Sequence, residues 1–175
     1  MIRLFAVLAL TFCAGAYAQD LPAAKGPGSY LALGGTVSAF NSDYGQRDFG
    51  GASLYVDANI YKRIGIEAEA RTLRFHSDDG MRQTTYLAGP RLSRDFRSLR
   101  VYTKVMAGRG TFEFPYGYAR GSYFATAAGM GVDWRVKHSR LLVRIVDFEY
   151  QRWPQFTFGD LKPYGFSTGL SLRIL

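Results

Sequence analysis

Strict alternation of apolar and polar residues, sustained far longer than an ordinary strand, constrains this chain most. From Ile64 to Arg71 the sequence reads Ile-Gly-Ile-Glu-Ala-Glu-Ala-Arg, apolar at every second position, with Glu67, Glu69 and Arg71 between. Successive side chains of a strand point to opposite faces, so the segment has one apolar face and one ionic face. As a helix it would scatter charge around the cylinder. The same two-residue period runs through Ala52, Leu54, Val56, Ala58 and Ile60, and through Phe124, Thr126, Ala128, Met130, Val132 and Trp134. Strands are expected over 30–40, 50–61, 64–75, 83–93, 99–112, 122–136, 140–151 and 163–175. Globular strands cluster near about 5–6 residues, whereas a tilted strand crossing a bilayer needs about 9–11. The pattern predicts an all-β fold, an eight-stranded antiparallel up-and-down transmembrane β-barrel, apolar outside and polar inside.

The connections support this expectation by alternating long and short. An up-and-down barrel with both ends in the periplasm has short periplasmic turns and longer outer loops. The short turns are basic, with Lys62 and Arg63, then Arg94, Arg97 and Arg100, then Lys137 and Arg140. Basic turns suit an anionic phospholipid surface, and solvated turns would look the same. Tyr61 and Trp134 at one end, and Phe75, Phe112, Phe124, Tyr150 and Trp153 at the other, are expected to form interfacial aromatic girdles.

Residues 1–18 are set apart. A basic start at Arg3, an apolar run from Leu4 to Phe12 and the small-x-small triplet Ala16-Tyr17-Ala18 read as a cleaved secretory signal peptide. The single cysteine, Cys13, falls inside it, so the exported chain is expected to have no disulfide. Residues 19–28 form a short lead, and 29–175 the barrel. The formal net charge of +8 could suit nucleic acid, but export excludes that partner.

If the apolar rows meet lipid, the charged rows share a narrow interior. They carry Asp57, Glu67, Glu69, Asp133, Asp147 and Glu149 against Arg71, Arg91, Lys104, Arg135, Arg144 and Arg173. Six acids facing six bases is what mutual pairing in a confined space requires. An unpartnered buried charge costs several kcal/mol, and turning an Arg or Lys outward to mid-bilayer costs about 2–4 kcal/mol. Eight strands leave an interior that side chains fill, which argues for a structural core rather than a diffusion pore. Two local irregularities are expected: a break after Gly89, because Pro90 lacks a donor, and a bulge near Ile145 and Val146, because Arg144 and the pair Asp147/Glu149 have opposite parity. Arg74 falls on the outward face, at the depth of lipid phosphates.

Tyr86-Leu87-Ala88-Gly89-Pro90-Arg91, the run from Asp147 to Trp153 and the run from Tyr164 to Arg173 resemble strands 4, 7 and 8 of the small eight-stranded outer-membrane barrels, the OmpA/OmpX-like family. The resemblance covers nearly the whole exported chain through order and spacing. It implies a Gram-negative outer membrane and insertion by the barrel assembly machinery, and it carries over no catalytic residue. The ending Arg173-Ile174-Leu175 departs from the aromatic terminus usual in such barrels.

Sites for chemistry are scarce. His76 adjoins Ser77, Asp78 and Asp79 in a loop, but adjacency does not place a base, nucleophile and orienting group in reach of one another. His138 has no metal partner at suitable spacing. Gly108-Arg109-Gly110 and Gly129-Met130-Gly131 lack the following helix of a phosphate site. No catalytic residue, cofactor or metal is expected. The expected function is non-enzymatic: envelope structure, or contact with a surface ligand through outer loops, in the company of outer-membrane lipids. A narrow channel for small solutes is the alternative. An exported lipocalin-like binder would have the opposite polarity, apolar within and polar without.

Overall fold

The computed structural model describes residues 29–44, 48–75, 80–157 and 159–174. The signal peptide, the lead, the loop residues His76 to Asp79 and the terminal Leu175 lie outside the described residues. Eight antiparallel strands follow in order: β1 Tyr30–Asn41, β2 Asp48–Tyr61, β3 Ile64–Phe75, β4 Arg82–Phe96, β5 Leu99–Glu113, β6 Arg120–Arg135, β7 Leu141–Arg152 and β8 Tyr164–Arg173. Each pairs with its sequence neighbours, and β8 returns to β1, closing the barrel. Closure removes the unpaired edges that an open sheet would expose.

Alternation decides which way each side chain points. Leu54, Val56, Ile66, Val105, Met130, Leu170 and Leu172 are exposed, while the residues between them are buried. An aliphatic exterior around a charged interior inverts a water-soluble protein and belongs in hydrocarbon. It also excludes the lipocalin-like arrangement.

Several strands run past the bounds the sequence pattern marks, whereas β3 matches them and β8 is shorter. β4 continues to Phe96, which leaves only Arg97 and Ser98 for its turn, and β6 begins at Arg120. Polar residues at these ends break the alternation without ending the hydrogen-bonded ladder. Pro90 sits within an unbroken β4. The β4–β5 ladder opens at Gly89 and Pro90 and resumes in the same register, from Ala88↔Ala107 to Arg91↔Lys104. In β7, Ile145 and Val146 form a bulge: both are exposed, and the register shifts against β6 and β8. The extra residue lets Arg144 and Asp147 both point inward.

Two apolar groups assigned to the girdle lie inside instead. Phe112 and Trp153 are fully buried and join Phe40, Phe49, Leu73, Met81, Phe114, Phe156 and Leu161 in a plug at the outer mouth. Phe75 packs partly buried against it. Phe112 lies on the row of Tyr102, Lys104 and Met106, so parity turns it inward whatever its depth. Most of its rings meet edge-on or tilted, as at Phe112–Phe156, with centroids 5.3 Å apart, while Phe114 and Phe156 stack at 5.8 Å. The last loop closes over them through the Trp153–Leu161 bridge, with backbone hydrogen bonds of 2.8 and 3.2 Å.

Candidate functional site: an ionic column inside the barrel

Beneath the plug, β2 to β7 project charged side chains into the interior. Ten of the twelve residues marked by the inward rows meet there: Asp57, Glu67, Glu69, Asp133, Asp147 and Glu149 with Arg71, Arg91, Lys104 and Arg144, all buried. Glu67 is the hub. Its carboxylate accepts from Lys104 Nζ at 2.9 Å, from Arg91 Nη1 at 2.8 Å, and from Arg144 Nη1 and Nη2 at 3.2 and 2.8 Å. Lys104 is the matching cation, with Asp147 Oδ2 at 2.7 Å, Glu149 Oε2 at 3.2 Å and Glu69 Oε2 at 3.4 Å. Arg71 reaches Glu149 at 2.8 Å and Glu69 at 2.6 Å. Arg91 also binds Asp57 at 2.6 Å and, more closely, Asp133.

The guanidinium groups sit over aromatic rings. Arg144 stands 3.7 Å over Tyr55, Arg91 3.7 Å over Tyr102, and Arg71 4.3 Å over Phe40. A desolvated cation over a ring face gains about 2 kcal/mol. The wall opposite is built from small residues, where Thr36 and Ser53 share a hydrogen bond of 2.7 Å, as do Ser38 and Ser167 at 2.8 Å. Long basic side chains thus have room to cross the barrel.

Polar contacts continue to both ends. On the outer side Trp153 Nε1 donates to Gln151 at 2.9 Å, and Gln151 donates to Glu149 at 2.8 Å. On the other side Tyr30 donates to Asp57, and Arg100 lies 4.4 Å over the Tyr30 ring. Arg100 forks onto Asp95 with bonds of 2.6 and 3.1 Å.

Arg135 and Arg173 correct the expected membership. Arg135 is part-exposed, 3.5 Å from Asp95 and bonded to the Arg97 carbonyl at 2.5 Å; Arg173 lies part-exposed, 5.2 Å from the Tyr30 ring. Both sit on inward rows, but at the last residue of their strands, where the interior opens to water. Those ten residues therefore hold six carboxylates against four cations, and Arg100, 6% exposed, is the fifth buried cation. Arg100, Arg135 and Arg173, with Asp95 alone among them, place the compensating positive charge in a collar below. Sequence reasoning did not find the part played by Tyr30, Tyr55, Tyr102 and Gln151. The signal existed for the last three, since each alternates with its inward charged neighbours.

Glu67, Glu69 and Asp147 bring carboxylate oxygens within 4.8 Å of one another, a spacing that suits a metal ion. Lys104 Nζ contacts all three, so the ammonium group fills that role. His138 sits in a turn with a left-handed backbone. Arg74 is exposed on β3, directly across from Arg82.

No protein-family model matches the chain, and no curated protein matches it in sequence. Solved structures match the fold. Neisserial surface protein A aligns with a TM-score of 0.68 at 10% identity, covering 83% of this chain and 96% of that one. The outer membrane protein OprG of Pseudomonas aeruginosa aligns at 0.59 and 11%, covering 89% and 99%. Ail, the attachment invasion locus protein of Yersinia pestis, aligns at 0.54 and 18%, covering 83% and 97%, in a complex with the heparin analogue sucrose octasulfate. The fold is that of the small eight-stranded outer-membrane barrels.

Proposed function

We propose that this chain is a sealed, non-enzymatic integral protein of a bacterial outer membrane, acting through contacts at its outer end rather than by passage of solutes. One observation carries the reading: the interior is occupied from mouth to mouth. A water-filled lumen would leave its lining accessible, yet Glu67 and Gln151 are 0% exposed and Arg71, Arg91 and Arg144 are 1%. The aromatic plug closes the outer mouth above them. Planar-bilayer recording tests it. The folded protein should give no steady conductance, and reproducible unitary openings would favour the narrow-channel reading.

Outer contacts have candidates in Tyr116 and Tyr118, exposed to 81% and 92%, between Pro115 and the basic residue Arg120. Exposed rings two to four residues from a basic side chain suit stacking on a sugar and pairing with an anionic substituent. That the Ail structure holds a sulfated sugar is consistent with this choice of ligand class. Insertion by the barrel assembly machinery and cleavage after Ala18 complete the proposal. N-terminal sequencing of the membrane-fraction protein should begin at Gln19, and a chain beginning at Met1 would remove the export step.

A further inference from the structure

The end of the barrel that holds both termini of the sheet is ringed by cations. Lys62, Arg63, Arg94, Arg97, Lys137 and Arg140 are all exposed. Among the described residues the one exposed carboxylate there is Asp95, which already pairs with Arg100 and Arg135. Two features set these turns apart from ordinary solvated ones. The first is conformational: Lys62, Arg97 and His138 have φ of 48°, 55° and 57°, a left-handed backbone that glycine or asparagine adopts with least strain. A basic or imidazole side chain stands at the strained position of each turn. The second is depth. Tyr61, Phe96 and Trp134 form the last exposed aromatic ring above the turns. Lys62 Nζ lies 4.9 Å from the Tyr61 ring centre, and the Arg94 guanidinium 5.1 Å from that of Phe96. Aromatic rings of this kind settle at the headgroup level, which puts the adjoining cations beside lipid phosphates.

We infer that this collar of turns binds acidic phospholipid headgroups of the surrounding leaflet and selects them over zwitterionic ones. A basic segment held at the headgroup plane concentrates anionic lipid within about a Debye length, and salt weakens the effect. The inference rests on the membrane reading proposed above.

The chain carries its own reporter. Of its two tryptophans, Trp134 is outward and 44% exposed beside the turns, whereas Trp153 is 0% exposed inside the barrel. The protein is folded into phosphatidylcholine vesicles containing equal mole fractions of either brominated phosphatidylglycerol or brominated phosphatidylcholine, and Trp134 quenching is compared. The wild type should show at least threefold local enrichment of the brominated phosphatidylglycerol, falling at high salt. The triple variant Arg97→Gln, Lys137→Gln, Arg140→Gln should lose the preference. Arg97→Gly separates charge from turn geometry: it should lower the preference while raising resistance to unfolding. Equal quenching by the two lipids in the wild type, or an unchanged preference in the triple variant, overturns the inference. Heated and unheated gel mobility is read on every sample. A chain that never gives a heat-shifted folded band overturns the barrel reading and this inference with it, whereas a folded barrel without preference overturns the inference alone.

Discussion

The guanidinium of Arg144 grips both carboxylate oxygens of Glu67 across the barrel interior, at 2.8 and 3.2 Å, although 77 residues separate them. One residue comes from β3 and the other from β7, strands that share no ladder. The contact is a strut through the middle of the barrel, and Lys104 and Arg91 brace it at the same carboxylate.

Removing the hub's charge should therefore be costly. Glu67→Gln keeps the shape but leaves three buried cations facing a neutral amide. Breaking one side of a buried ion pair costs about 3–5 kcal/mol. Urea unfolding of the barrel in detergent micelles should show a loss of that order. The exposed pair Arg152–Asp160, at 2.6 Å, provides the contrast. Asp160→Asn should cost no more than about 1 kcal/mol, because water screens the pair.

Gly89 is needed for close approach rather than for a turn. A methyl group there would lie 2.0 Å from the Val105 carbonyl oxygen and 2.8 Å from the Met106 Cα, both backbone atoms that do not yield. Gly89→Ala should force β4 and β5 apart and cost about 1–3 kcal/mol. At Gly50 a methyl group meets nothing within 4 Å, so Gly50→Ala should stay within about 0.5 kcal/mol of wild type. Equal effects at the two positions would contradict the packing described for β4.

Gln83 is 0% exposed, and neither its amide nitrogen nor its oxygen has a hydrogen-bond partner among the described residues. It lies across β4–β5 from Phe112, at the level of the apolar plug. An unsatisfied buried polar group costs about 1–3 kcal/mol. Gln83→Leu should therefore raise the urea midpoint. A lower midpoint would mean the amide is engaged by a group that the leucine cannot replace.

Phe112 tests the plug. Truncating a fully buried phenylalanine removes its contacts and leaves a cavity, at about 3–5 kcal/mol. Phe112→Ala should lower stability by that order in the same unfolding assay. Conductance should stay absent, because the ionic column below still fills the interior.

The two-residue period made the fold legible. It gave strand number, order and facing, and even the β7 bulge, because opposite parity of Arg144 and Asp147 has no other remedy. Parity is blind to depth. It cannot tell an inward side chain at mid-barrel from one at the mouth, which is why the pattern groups Arg135 and Arg173 with the buried ten although both lie part-exposed at strand ends. Residue type alone points the same wrong way: aromatic character suggests a girdle for Phe112 and Trp153, although Phe112 shares a row with Lys104 and both are buried. The stacking of Arg144 on Tyr55 is not legible in the sequence, because it depends on a side chain of β7 crossing the interior to β2, and sequence order does not bring those strands together.

The central claim is that aliphatic rows meet hydrocarbon while ionic rows face inward. Because the sole cysteine, Cys13, lies in the expected signal peptide, single cysteines can be placed at Val56, Ala68 and Val132 without background. Nitroxide labels at these sites, with the barrel in lipid vesicles, are read by power saturation against oxygen and a water-soluble nickel chelate. The account predicts high access to oxygen and little to the chelate at all three. Labels open to the chelate and shielded from oxygen would contradict it.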